Sequence, residues 1–136
     1  MILYTPMVLV DSSVWISYFR HGSHRILEQL LMENLVCTND LILTELMPSL
    51  RKNKMKQIME GLEVLPKIRI DIDWEIIQEY QYLNLINGLN KVGIPDLVIM
   101  QQVIQHKATL YSEDKHFKIM QEIFDFQLIR SDDGLG

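Results

Sequence analysis

The sequence predicts an α/β fold: a three-layer α/β/α sandwich around a central, mostly parallel β-sheet. Two observations carry this. Short apolar runs at Met7 to Val10, Leu35 to Thr38, Thr109 to Tyr111 and Phe126 to Ile129 have the look of strands buried in the middle of a sheet. Between them lie longer stretches with helical spacing and capping residues at their starts. Short buried strands that alternate with helices build an open parallel sheet with helices on both faces.

Each element has its own signal. After the first run, Asp11, Ser12 and Ser13 stand ahead of Val14, Trp15, Ile16, Tyr18 and Phe19, a polar N-cap opening an apolar helix that ends at His21, Gly22 and Ser23. A second helix runs from about Ser23 to Asn34, with Ile26, Leu27, Leu30 and Leu31 on one face. Asn39 and Asp40 cap the next, which buries Leu41, Ile42, Leu43, Leu46 and Met47 and carries Glu45 as its only acid; Pro48 should kink or end it. Ile58, Met59 and Leu62 give an apolar side to the stretch after the basic residues Arg51, Lys52, Lys54 and Lys56, and Leu62 to Ile70 reads as an extended connection. Asp71 and Asp73 cap a long helix with an apolar stripe of Trp74, Ile77, Tyr80 and Leu83, widened by Ile76 and Ile86 and ended by Asn87 and Gly88. Pro95 suits the first turn of a further, nearly all-apolar helix, with Asp96 beside it where the helix dipole favours an anion. A short helix around Phe117 to Ile123 leads to the last strand, and Ser131 to Gly136 is expected to be loose.

With 136 residues, 48% of them hydrophobic and 23% charged, the chain reads as one domain, 1–136, with a core of about 7–129 and peripheral ends at 1–6 and 131–136. Such a core folds without a metal or a disulfide, so a metal here would serve chemistry. The net charge of −5 argues against unspecific adhesion to nucleic acid or an anionic membrane, while leaving room for a local basic groove. The single cysteine, Cys37, excludes an intrachain disulfide and favours a reducing cytoplasm. No apolar run approaches the ~18 residues of a membrane span.

In an open parallel sheet ligands collect beyond the carboxyl ends of the strands, and Asp11 and Asp114 each follow such an end. Asp96 opens a helix that starts on the same edge, and Glu45 lies about one turn into another. Singly, each has a plain structural account: Asp11 and Asp114 as N-caps, Asp96 as a dipole partner, Glu45 as a solvated acid. Together at one rim, four carboxylates repel unless a cation or raised pKa values relieve them. Oxygen ligands without a His or Cys cluster suit magnesium or manganese rather than zinc. His21, His24, His106 and His116 are scattered and are given no chemistry.

The segments Val8-Leu9-Val10-Asp11-Ser12-Ser13-Val14-Trp15, Thr44-Glu45-Leu46, Gly93-Ile94-Pro95-Asp96-Leu97-Val98-Ile99 and Leu110-Tyr111-Ser112-Glu113-Asp114-Lys115-His116-Phe117 together resemble the PIN-domain family, and within it the VapC-type toxins of bacterial toxin–antitoxin pairs. The likeness spans Met7 to about Ile129 and rests on the order and spacing of these pieces. It implies a magnesium- or manganese-dependent endoribonuclease whose acidic quartet is Asp11, Glu45, Asp96 and Asp114. Asp11 and Asp96 would hold the principal metal, Glu45 and Asp114 would complete its coordination or hold a second one, and Ser12 or Ser112 would orient a ligand or phosphate. The family often has Thr where Ser112 stands, and Ser112 keeps the hydroxyl role; it often has a further Asp where His116 stands, a change expected to remove a possible extra acid and weaken a second metal position. The small residues common after the third acid are replaced by Met100, Gln101 and Gln102, read as packing drift. A usual family start would make Met7 the initiator.

The resemblance also implies partners: an RNA substrate, a cognate antitoxin protein and a second copy in a homodimer. Arg51, Lys52, Lys54 and Lys56 are candidates for RNA contact, or equally a solvated basic face. Trp15, Tyr18 and Phe19 are either core or part of an antitoxin groove. A receiver-like phosphoacceptor lacks its paired acids, since Ser12 follows Asp11, and a haloacid-type phosphatase would need a second Asp where Ser13 stands. A catalytically silent PIN-like module that binds RNA or protein is the remaining alternative, and it would be expected to have lost part of the quartet.

Overall fold

The computed structural model describes residues 7–131. Four strands form one sheet: β1 (Val8–Val10), β2 (Val36–Cys37), β3 (Thr109–Tyr111) and β4 (Gln127–Ile129), in the order β2-β1-β3-β4. All three pairings are parallel. Seven helices accompany them among the described residues: α1 (Ser12–His21), α2 (Arg25–Met32), α3 (Asp40–Lys52), α4 (Lys56–Glu63), α5 (Trp74–Ile86), α6 (Ile94–His106) and α7 (Lys115–Met120). The architecture is the expected α/β/α sandwich.

Topology follows from connection handedness. The chain leaves β1 toward β2 on one side and leaves β3 toward β4 on the other, so right-handed crossovers place α1 with α2 and α7 on opposite faces. The reversal falls between the neighbouring strands β1 and β3, where a doubly wound sheet opens a crevice at its carboxyl edge. Val8, Leu9, Val10, Leu110 and Tyr111 are almost fully buried and form the middle of the core with Leu27, Ile42, Leu97, Ile99, Met100 and Phe117. Cys37 is buried in β2, and that burial pushes its thiol up to about 12, so it takes no part in thiolate chemistry.

Local chemistry sets the helix boundaries. Asn39 caps α3 by accepting the Ile42 N–H at 2.7 Å, and Asp73 caps α5 by accepting from Glu75 and Ile76. Asp71, read as part of that cap, lies outside the helix. Gly22 ends α1 in the left-handed region, φ 74°, where a side chain would be strained. Helix α3 runs past Pro48 to Lys52 instead of ending there. Pro48 and Thr44, whose carbonyl loses its usual partner, are both exposed residues, so the loss falls on the solvent side.

The apolar stripe read on α5 is only partly buried. Ile77 is in the core, while Trp74 and Ile86 are 56% and 60% exposed. Steps of three advance a helix by ~300°, so each residue lags ~60° behind the last and the ends of such a series rotate off the buried face. Ser131, expected to be loose, is held: its Oγ bonds Tyr111 Oη at 3.0 Å and donates to Glu113, and its N–H donates to Glu113 at 3.0 Å. The expectations for residues 1–6 and for the tail after Ser131 lie outside the described residues. No helix among the described residues is long and apolar enough to cross a membrane.

Candidate functional site

The strand register builds the first half of the site. Val8, Leu9 and Val10 pair with Thr109, Leu110 and Tyr111, so the next residues out, Asp11 and Ser112, emerge side by side. The Asp11 N–H donates to the Tyr111 carbonyl at 2.8 Å and extends the ladder by one bond. Ser112 Oγ donates to Asp11 Oδ2 at 2.8 Å and accepts the Asp114 N–H at 3.0 Å. Ser13 Oγ donates to the same Asp11 oxygen at 2.9 Å and accepts from the Glu113 N–H at 3.1 Å. Two hydroxyls thus tie the carboxylate after β1 to the backbone after β3.

The capping alternatives now separate. Asp11 occupies the N-cap position of α1, yet its side chain makes no capping hydrogen bond. Its carboxylate turns to the two serines, and only 5% of the residue is exposed. Asp114 does cap: Oδ1 accepts the His116 N–H at 2.8 Å at the start of α7. Asp96 lies in the first turn of α6, and Glu45 projects from α3, where Ser12 Oγ donates to its Oε2 at 3.4 Å.

Electrostatics place the four acids at one rim. Asp96 is pushed up to about 6 by burial first, then by the charges of Asp114, Asp11 and Glu45, with His116 opposing. Burial raises Asp11 as well, offset by Ser112 and Ser13 and reinforced by Asp114. Glu45 is raised by burial and by Asp11, with Ser12 pulling back. Three carboxyls are therefore held above their ordinary range by burial and by one another. A divalent cation would relieve this crowding, and the oxygen donors suit a hard ion, so the residues present fit one.

The remaining sequence candidates fall elsewhere. Arg51, Lys52, Lys54 and Lys56 are exposed around the junction of α3 and α4, with Lys56 paired to Glu60 at 4.0 Å. Arg51 and Lys52 lie some six and seven residues beyond Glu45, roughly 9–10 Å along the helix axis. The cation that lines the same groove as Glu45 is Arg20 of α1, with Phe19, Ser49 and Asn53 around a cavity of about 310 Å³. Trp15 is buried, and Tyr18 and Phe19 are half-buried beside an apolar groove also lined by Leu31, Ile58, Leu62 and Leu65.

Two residues missed in the sequence join the site. His116 Nδ1 stands 3.5 Å from Asp114 Oδ1 and 3.8 Å from Asp96 Oδ2. Ser13 shares Asp11 with Ser112. The second was readable from the pair of hydroxyls after Asp11; the first needed the position of α7 against α6.

The family model for the PIN domain matches residues 8–123. The chain belongs to the PIN domain family. No curated protein matches it by sequence. Among solved structures, a chain of DNA-bound VapBC from Salmonella typhimurium is 12% identical with a TM-score of 0.74, over 93% of this chain and 99% of that one. VapBC2 from Rickettsia felis, bound to a promoter DNA fragment, is 18% identical with a TM-score of 0.70, over 91% and 98%. VapBC-1 from nontypeable Haemophilus influenzae is 14% identical with a TM-score of 0.70, over 93% and 98%. At these identities the likeness is one of fold. This PIN domain thus has the same overall chain course as those proteins, nearly end to end.

Proposed function

We propose that this PIN domain is a divalent-metal-dependent endoribonuclease, the toxin of a VapC-type toxin–antitoxin pair acting in the cytoplasm. The observation that carries the reading is the Asp11 carboxylate, buried at the sheet's switch point, held by Ser112 and Ser13 without capping its helix, and crowded by three other acids. A fold gains no stability from that arrangement, so it calls for a ligand of positive charge.

Asp11 and Asp96 would hold magnesium or manganese, with Glu45 and Asp114 completing the set or holding a second ion. When bound, such an ion neutralises charge on a phosphate and lowers the pKa of its water. The chain's own groups do the positioning. Ser112 and Ser13 fix the Asp11 oxygen that faces them, and Ser12 orients Glu45. Ser12 or Ser112 would orient a ligand or phosphate. Arg20 borders Glu45, and Arg51, Lys52, Lys54 and Lys56 extend positive charge farther out for an RNA backbone.

The solved VapBC complexes of the same fold support a cognate antitoxin as partner, with the groove of Trp15, Tyr18 and Phe19 as its place, and the exposed apolar residues of α5 are compatible with a homodimer. The test is cleavage of total cellular RNA by the purified chain, free of antitoxin, with magnesium, with manganese and with EDTA, beside Asp96→Asn. Discrete metal-dependent products missing from the variant are expected. A folded chain that binds RNA or a protein partner and cleaves with neither ion would be a silent binding module instead.

A further inference from the structure

We infer that His116 is a nitrogen ligand of the cation at this site, which makes the site a mixed nitrogen and oxygen one and tilts it from magnesium toward transition ions such as manganese. The inference rests on the proposed metal-dependent reading and adds a residue and a preference to it. Three ligand atoms, one each from Asp96, Asp114 and His116, lie within 4.8 Å of one another. With metal–ligand bonds of ~2.1 Å, two atoms on one ion stand at most ~4.2 Å apart. The Nδ1 distances of 3.5 and 3.8 Å satisfy that limit for both carboxylates. Both exceed an ordinary hydrogen bond, so the ring is not simply clasped by either acid.

Local structure holds the ring there. Asp114 caps α7 through the His116 N–H, which fixes His116 in the first turn, and α6 brings Asp96 to the same place from another part of the chain. The ring is one-third exposed and so remains open to an incoming ion. Imidazole binds first-row transition ions far better than magnesium, which prefers carboxylates and water. One histidine among four carboxylates therefore changes which ion wins without abolishing the site. The other reading of the same distances is a protonated ring that only offsets rim charge, and it predicts no metal–nitrogen bond.

Manganese at a one-to-one ratio with the full chain separates the two. Electron spin echo spectroscopy should show coupling to a directly bound imidazole nitrogen in the wild type and lose it in His116→Ala. By calorimetry, His116→Ala should weaken manganese about tenfold while changing magnesium much less, and His116→Asp should regain binding with the preference moved toward magnesium. Manganese bound at the carboxylates without nitrogen coupling, or with a spectrum unchanged in His116→Ala, would overturn the His116 assignment and leave the nuclease reading standing. A folded chain that binds neither ion would overturn both.

Discussion

Helix α6 serves two groups of polar side chains, roughly a turn and a half apart, built on opposite terms. At its first turn Asp96 joins Asp11, Glu45 and Asp114, all acceptors when ionised, with burial and mutual repulsion raising three of them. Farther along, Gln101 and Gln102 are almost wholly buried, and each is paired at both its nitrogen and its oxygen. Gln101 donates to the Asp71 carbonyl at 2.9 Å and accepts the Asp73 N–H at 3.2 Å. Gln102 donates to the Arg69 carbonyl at 3.0 Å and accepts from Asn39, whose oxygen caps α3. Neutral amides paired at both nitrogen and oxygen stabilise the segment before α5. Like charges that hydroxyl and amide donors only partly offset cost stability and wait for a ligand. Polar groups thus have two meanings on one helix, and net charge tells them apart.

Removing one charge from the first group changes activity most. Asp96→Asn should lower RNA cleavage by at least about a hundredfold, the loss of several kcal/mol of charge stabilisation. In metal-free buffer near pH 7.5 the same variant should be as stable as the wild type or more so, by up to about 3 kcal/mol. Urea unfolding in EDTA checks this, and a destabilised Asp96→Asn would mean that Asp96 is structural.

In the second group the expected signs reverse. Gln101→Leu keeps the volume but removes the partner of the Asp71 carbonyl and of the Asp73 N–H, two part-buried bonds worth about 0.5–1.5 kcal/mol each. A total loss of about 1–3 kcal/mol is expected from urea unfolding, with cleavage per folded molecule changed less than about twofold. Loss of activity without loss of stability would place Gln101 in the site and erase the contrast.

These glutamines also mark where the sequence stopped being legible. Strands, helix order and the edge shared by Asp11, Glu45, Asp96 and Asp114 follow from apolar runs, capping residues and the rule that parallel strands present their carboxyl ends together. Gln101 and Gln102 read as packing drift because a polar residue in an apolar run reveals nothing about its partners. Those partners, Asp71, Asp73, Arg69 and Asn39, lie some thirty or sixty residues away. His116 stands where the family often has an Asp, yet the sequence alone assigns it no chemistry, because what its ring meets depends on α7 lying against the start of α6. Pro48 shows the complementary case, a local signal overridden because its cost falls on the exposed side of α3.

The pH dependence of stability isolates the charge crowding itself. Asp96 holds its proton up to about 6 in the folded chain against an ordinary 3.8, so the folded state binds that proton more tightly than the unfolded one. The associated stability is fully present below about pH 4 and is lost as pH rises through about 6. The raised carboxyls of Asp11 and Glu45 act in the same direction. In EDTA, unfolding free energy should therefore rise by about 1–3 kcal/mol as pH falls from 8 to 5. Asp96→Asn should flatten most of that slope, and millimolar manganese should raise the alkaline end. A slope of the opposite sign, with stability lost on acidification over this range, would mean that the rim carboxylates are stabilised by partners within the chain.

The smallest effects distinguish the serines that hold the rim. Ser112 is fully buried, donates to Asp11 at 2.8 Å and accepts the Asp114 N–H at 3.0 Å, so Ser112→Ala removes a charge-assisted bond and strands a backbone donor. Ser12 offers Glu45 a single long bond of 3.4 Å to a carboxylate on an exposed residue. The first change should cost about 1–2 kcal/mol and raise the Asp11 carboxyl further, since its second-largest influence would be gone. The second should cost under about 0.5 kcal/mol. Ser112→Thr keeps the hydroxyl and should retain most of the wild-type activity if the added methyl packs. Carbon-13 titration of the Asp11 carboxyl in both alanine variants gives the readout. Equal shifts would mean that the rim is one solvated cluster, whereas a shift confined to Ser112→Ala ties Asp11 to the β1–β3 register that first brought it beside Ser112.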